Sequence, residues 1–395
     1  MAARCRTLEH VKRSAAILIL TLLGAAHPGL SFEPLPRSEV DSHGISASAL
    51  EAFVEEVRAA PGARSLVVVH RGHVIAEAFW SGTPETLHHV RSVTKTVSST
   101  LVGIAADRGY LGDLNTRMVD GLPADLVPSD PAKHAILISH LLTHATGLQW
   151  DENAEFFPWA TSGNPNRYIL DKPLVADPGT TFVYNTATTH VLSPVLEELT
   201  DRQVEGFAAE FLFAPLGITN WRWEADAQGY AFGGHGLQLR TEDIAKLGLL
   251  FIQHGWWQGE RVVSTDWVRT ATFPHVPGNQ PWGAVDSLQY GFLWWLGEGD
   301  ESPLYFALGW GGQFVVCVPD RDLVVATTAN WQVSAEQARA QERAILDTVI
   351  EGLLPLVPRR EAGAREPDGR SRGALPGHCR RQPPPSGPST AFRDP

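Results

Sequence analysis

Apolar residues follow two rhythms along this chain: short continuous runs near both ends of its body, and helical spacing between them. Residues 65–80, SLVVVHRGHVIAEAFW, are two apolar runs around Arg71-Gly72, the pattern of a β-hairpin. Phe314–Val318 and Leu323–Thr328 flank Pro319-Asp320-Arg321-Asp322 and predict a second hairpin. Tyr290–Leu296, YGFLWWL, reads as one strand. Val93–Arg108, rich in small and β-branched residues and stopped by Gly109, reads as a helix. So does Glu242–His254, with Ile244, Leu247, Leu249, Leu250 and Phe251 on its apolar side. Ala335–Leu354 is an amphipathic helix that ends the fold, and residues 110–230 alternate short helical patterns with Pro and Gly breaks. The expected class is α/β (α+β). A single antiparallel sheet, from about 33–90 and 285–357, is covered by the end helices, and a mainly helical lobe is inserted at about 96–230. No internal repeat is visible.

Composition adds the compartment and excludes some partners. The 395 residues are 43% hydrophobic and 19% charged, enough for a large core. The formal net charge is -12, and both ends are basic, so the body is more acidic still. An acidic body argues against a nucleic-acid partner and against docking on anionic lipid. Residues 1–13 are basic and residues 15–26, AAILILTLLGAA, are apolar and small. That is the pattern of a signal peptide over 1–26, cleaved after Ala26, with a periplasmic or extracellular product. The run falls short of the ~20 residues of a spanning helix, so no stable membrane insertion is expected after cleavage. Cys5 precedes the apolar run and is a poor lipidation site; Cys317 lies in the strand-like FVVCV and Cys379 in the tail, with no disulfide expected. The body of the domain spans 33–357, and the Arg, Pro, Gly and Ser of 358–395 predict a disordered tail. Neither HExxH nor a Cys/His cluster of zinc spacing occurs, so no metal site and no cofactor are expected.

The most informative string is Ser92-Val93-Thr94-Lys95. On a helix starting at Ser92, positions i and i+3 share a face. A serine hydroxyl becomes a nucleophile when a base takes its proton. Lysine is such a base when desolvation lowers its pKa. Val93, Val97, Leu101 and Val102 supply the apolar surroundings, and no acid lies between Glu85 and Asp107. The Ser92 backbone N–H, at a helix start, faces a developing oxyanion. A Ser-His-Asp hydrolase is the weaker reading, since no serine sits in G-x-S-x-G. His144 is assigned to a buried turn and His235, in Gly233-Gly234-His235-Gly236, to the border of the pocket. The aromatics of 149–168, with Asp151 and Glu152, form either a lid over an apolar substrate or a packed loop.

In this context the chain resembles the serine β-lactamase / D,D-peptidase superfamily, and within it the class C-like esterases and amidases that include the aminohexanoate-dimer hydrolases. The landmarks run in family order from about Ser65 to Leu354: Ser92–Lys95, LLTHATGL (141–148), PGTTFVYNTATTHVLS (178–193), LFAPLGI (212–218), GGHGLQLRTEDIAKLG (233–248), YGFLWW (290–295) and GWGGQF (309–314). The resemblance implies a β-lactamase-like fold and acyl transfer through Ser92. Lys95 and Tyr184, the latter acting as a phenolate or relay, would handle the proton. Tyr184-Asn185-Thr186 stands for the family's Tyr-x-Asn, with Asn185 one place early as a candidate substrate contact and Thr186 at the usual asparagine site. Ala307-Leu308-Gly309 replaces the usual Lys-Thr-Gly; no lysine follows Lys246. Gly309 and Gly311 are then expected beside the substrate, and the Trp310 N–H as the second oxyanion donor. Lacking that cation, the site points to a small-molecule ester or amide more than to a β-lactam or cell-wall peptide, with β-lactamase or D,D-peptidase as the alternative. A third reading is a non-catalytic secreted binding protein on the same fold.

Overall fold

The structure is a computed structural model that describes residues 34–278 and 282–360. The expected signal peptide, the tail beyond Arg360, Cys5 and Cys379 lie outside the described residues. Both predicted hairpins form, and their central strands pair with each other. Strand β1 (Ala63–His70) turns at Arg71 and Gly72, both with positive φ, into β2 (His73–Phe79). The later strands are β3 (Val276–Pro277), β4 (Asp286–Tyr290), β5 (Trp295–Gly299), β6 (Ser302–Gly309), β7 (Gln313–Val318) and β8 (Leu323–Ala329). They join in one sheet in the order β2-β1-β8-β7-β6-β5-β4-β3, antiparallel throughout. The pairing of β1 with β8 closes the sheet from the two ends of the chain.

Continuous apolar runs are needed because both faces of this sheet are covered. Leu66 and Val68 of β1 face one side, with Leu50, Phe53 and Val57 of helix α1 (Ala47–Ala59) and Ile345 and Leu346 of the C-terminal helix (Ala335–Asp347). Val67 and Val69 face the other, with Val315, Cys317, Val324 and the helix Thr241–Ile252. That second face carries the rest of the molecule. The helix Thr94–Asp107 is buried along almost its whole length, and short helices fill the stretch to Phe213.

Tyr290–Leu296 is not one strand. β4 ends at Tyr290 and β5 starts at Trp295, and these two residues pair across a tight turn with Leu293 at φ 62. The turn is tied down by Phe292 N–H to the Ala271 carbonyl and Leu293 N–H to the Leu142 carbonyl, both 2.9 Å. The bend lets Phe292, Leu293 and Trp294 all be buried. Among the described residues no helix is long and apolar enough to cross a membrane.

Candidate active site

A cavity of about 590 Å³ opens against the sheet, walled by Phe156, Phe182, Trp295 and Leu308, with Ser92 and Tyr184 on its lining. Ser92 comes just before the helix, in a 3₁₀ turn (Arg91–Val93), and the α-helix begins at Thr94. Arg91, at φ 52, swings the chain from a short strand (His88–His89) into that turn. Gly309 of β6 permits the approach: a Cβ there would sit 2.2 Å from the Val90 carbonyl oxygen. The close approach expected of Gly309 is therefore to the nucleophile's own loop.

The i, i+3 relation survives the change of helix type. Lys95 is 1% exposed, and its Nζ lies 2.8 Å from Ser92 Oγ, 2.8 Å from Thr186 Oγ1 and 2.9 Å from the Gly234 carbonyl. Burial dominates its titration and lowers the pKa to about 7; Glu152 pulls it back up, and Arg91 adds a smaller push down. A shift of that size is on the order of 5 kcal/mol against the ammonium.

The sequence shows no acid near Lys95, but the fold supplies one. Glu152 accepts the Thr186 backbone N–H at 3.0 Å, the Trp150 indole N–H at 2.7 Å and the Thr186 hydroxyl. Thr186 thus bridges Lys95 to Glu152. Asp151, accepting from Asn153 and Ala154, caps the helix Glu152–Ala160 that holds this carboxylate. No spacing rule links Glu152 to Lys95, which is why sequence reasoning left it among the lid residues.

Tyr184 reaches the same point from the other side. Its ring lies 4.9 Å from Lys95 Nζ and stacks on Trp295 at 5.8 Å, and its phenol is within hydrogen-bonding reach of Ser92. Burial, reinforced by Glu152, pushes the phenol well above its usual pKa. The phenolate expected beside Lys95 is disfavoured by these surroundings. His144 braces the segment from a buried turn at φ 55: Nδ1 accepts the Asn185 N–H at 3.2 Å, and Nε2 donates to Thr189 Oγ1 at 2.9 Å.

Asn185, expected to touch substrate, does not line the cavity. Its side chain caps the helix Thr186–His190 by accepting the Thr188 N–H at 2.9 Å. Gly311 is likewise engaged internally: its N–H donates to Glu342 at 2.9 Å and its carbonyl accepts from Gln341 at 2.8 Å. Trp310, between Gly309 and Gly311, lines the cavity, and neither its backbone N–H nor that of Ser92 finds a backbone acceptor among the described residues. His235 also lines the cavity. Behind it, His190 Nε2 donates to Asp226 at 2.9 Å while Nδ1 accepts the Gly233 N–H at 3.3 Å, which fixes the turn carrying the Gly234 carbonyl.

The arrangement is a buried, easily neutralised amine aimed at a hydroxyl on a cavity wall, with a phenol and two backbone N–H groups beside it. Comparison with known proteins agrees with the fold. The family model described as Beta-lactamase matches residues 50–350. The 6-aminohexanoate-dimer hydrolase of Paenarthrobacter ureafaciens is 24% identical over 337 residues, covering 81% of this chain and 84% of that protein. The octameric penicillin-binding protein homologue from Pyrococcus abyssi superposes with a TM-score of 0.60 at 19% identity, over 76% of each chain. EstCE1, a hydrolase with promiscuous acyltransferase activity, gives 0.57 at 17%, over 75% of this chain and 96% of its own. With the family model spanning most of its length and its sheet and helices in that arrangement, the chain belongs to the beta-lactamase family.

Proposed function

We propose that this protein is a serine hydrolase that cleaves an ester or amide bond through an acyl-enzyme on Ser92. The observation that carries the reading is the Lys95 amine, buried and 2.8 Å from Ser92 Oγ, with a pKa lowered to about 7. A neutral Lys95 donates its two N–H bonds to Thr186 Oγ1 and the Gly234 carbonyl, leaving its lone pair for the Ser92 proton. Ser92 Oγ attacks the carbonyl carbon, and the Ser92 and Trp310 N–H groups hold the resulting oxyanion. Tyr184, kept protonated by burial, protonates the leaving oxygen or nitrogen and regains its proton from the Lys95 ammonium. Water then adds to the acyl-enzyme, loses its proton to Lys95 and releases the acid, returning Ser92 to its hydroxyl form.

The test is hydrolysis of p-nitrophenyl butyrate by the purified protein beside Ser92→Ala and Lys95→Ala. The reading requires turnover that both substitutions abolish. A β-lactamase or D,D-peptidase would use the same residues on another acyl donor, and cephalosporin turnover above the Ser92→Ala background would identify it. We further propose export, supported by the basic and apolar stretches of residues 1–26; the mature N-terminus of protein secreted by an expressing bacterium tests it.

A further inference from the structure

The turn that carries the Trp310 N–H is held from outside by side chains. Gly309 ends β6 and Gln313 opens β7, with Trp310, Gly311 and Gly312 between them. Gly311 and Gly312 stand at φ 84 and 104, so this stretch has wide backbone freedom of its own. One backbone bond closes it, from the Gly312 N–H to the Gly309 carbonyl at 3.1 Å. Its remaining carbonyls are met by side chains: that of Trp310 by Gln313 Nε2 at 3.2 Å, of Gly311 by Gln341 Nε2 at 2.8 Å and of Gly312 by the Thr327 hydroxyl at 3.0 Å. The Gly311 N–H donates to Glu342 Oε1 at 2.9 Å. Among the described residues only the Trp310 N–H, of these three amides, has no acceptor.

These bonds fix whole peptide planes, because each amide is rigid. The plane joining Trp310 to Gly311 is gripped at both ends, its carbonyl by Gln313 and its N–H by Glu342. The next plane has its carbonyl on Gln341 and its N–H on the Gly309 carbonyl. That carbonyl belongs to the same trans amide as the Trp310 N–H, so fixing the one aims the other. Glu342 is the unusual member of the set. It is 1% exposed, and its second oxygen accepts from Arg339 at 3.1 Å. Burying a carboxylate is costly. This one holds a single backbone N–H of the turn, and a carboxylate makes a stronger acceptor there than a neutral group. Gln341 and Glu342 sit side by side on the C-terminal helix, so that helix grips both planes.

We propose that Glu342 is a positioning residue: by holding the Trp310–Gly311 peptide it aims the Trp310 N–H at the oxyanion. The inference rests on the acyl-transfer reading. Glu342 also raises the pKa of the Tyr184 phenol, so the test separates its hydrogen bond from its charge. Glu342→Ala and Glu342→Gln are assayed with p-nitrophenyl butyrate and titrated with 1,1,1-trifluoro-4-phenylbutan-2-one and its parent ketone, 4-phenylbutan-2-one. Ser92 Oγ adds to the fluoroketone carbonyl, its proton passes to Lys95, and the carbonyl oxygen becomes the oxyanion; the parent ketone, far less electrophilic, reports ground-state binding. Rates are normalised to the sites counted by fluorophosphonate labelling, so partial unfolding does not imitate the effect. Glu342→Ala should lower kcat and fluoroketone affinity at least about tenfold, with KM and parent-ketone affinity within about twofold. Glu342→Gln, which keeps an acceptor without the charge, should recover most of both. If Glu342→Ala does not fold, Gln341→Leu frees the neighbouring plane and should give the same selective loss. An undiminished kcat, equal losses for the two ketones, or a Glu342→Gln as impaired as Glu342→Ala overturns the positioning role. Absence of Ser92-dependent turnover in the unsubstituted protein overturns the acyl-transfer reading, and this inference with it.

Discussion

At the scale of single residues the proposed reaction turns on the protonation of Lys95. The amine is the base only when neutral, so kcat/KM should rise through about pH 7 and level off above it. Glu152 is the charge that holds the pKa up, and Glu152→Gln should therefore move the acidic limb to lower pH. A pH–rate profile of the two proteins checks the sign; a limb displaced upward would contradict it. Ser92→Ala and Lys95→Ala should each cost at least about 10³-fold in kcat, because groups that act as a unit lose most of their effect together. Ser92 and Lys95 were legible as a spaced pair, since one helical turn brings i and i+3 together. Glu152 was not, because its relation to Lys95 is made by the packing of distant segments. Asn185 misled for a related reason: an asparagine beside a catalytic tyrosine and an asparagine capping a helix look the same in sequence.

Among the elements, the helix Thr241–Ile252 shows how closely the layers meet. A Cβ at Gly248 would lie 2.6 Å from Val315 Cγ2 and 2.7 Å from Val324 Cγ1 on β7 and β8. Gly248→Val should overpack this contact and destabilise the fold by about 1–3 kcal/mol. Urea unfolding checks this, and an unchanged midpoint would show that the helix can move off the sheet freely. The hairpins and long helices were readable because apolar rhythm and turn residues agreed. YGFLWWL was misread as one strand because all its residues but Gly291 are hydrophobic. An almost wholly apolar run has no period to report, and only the contacts to Ala271 and Leu142 reveal the turn.

For the whole molecule, the sheet closed from both chain ends was inferable from where the apolar runs lie, but its strand order came from pairing that no local pattern encodes. The fold also buries histidines that the proposed chemistry does not use. His43 Nδ1 and His70 Nδ1 lie 3.0 Å apart in the interior, and burial lowers His70 to about 4; His88 is lowered to about 4 by the same cause. Below about pH 6.5 the unfolded chain takes up protons that these native imidazoles refuse until about pH 4. Stability should therefore fall as pH drops across that window. Urea midpoints at pH 7.5, 6.0 and 5.0 should decrease in that order, and His70→Phe should weaken the trend; a flat series would contradict it.

The central claim is that Ser92 is a nucleophile activated by Lys95. Intact mass after treatment with a serine-directed fluorophosphonate tests it most directly, on the purified protein beside folded Ser92→Ala and Lys95→Ala. One equivalent of label is expected, slower to form below pH 7 and lost in both variants. Label that persists in Ser92→Ala, or a folded native protein that takes none, would contradict it.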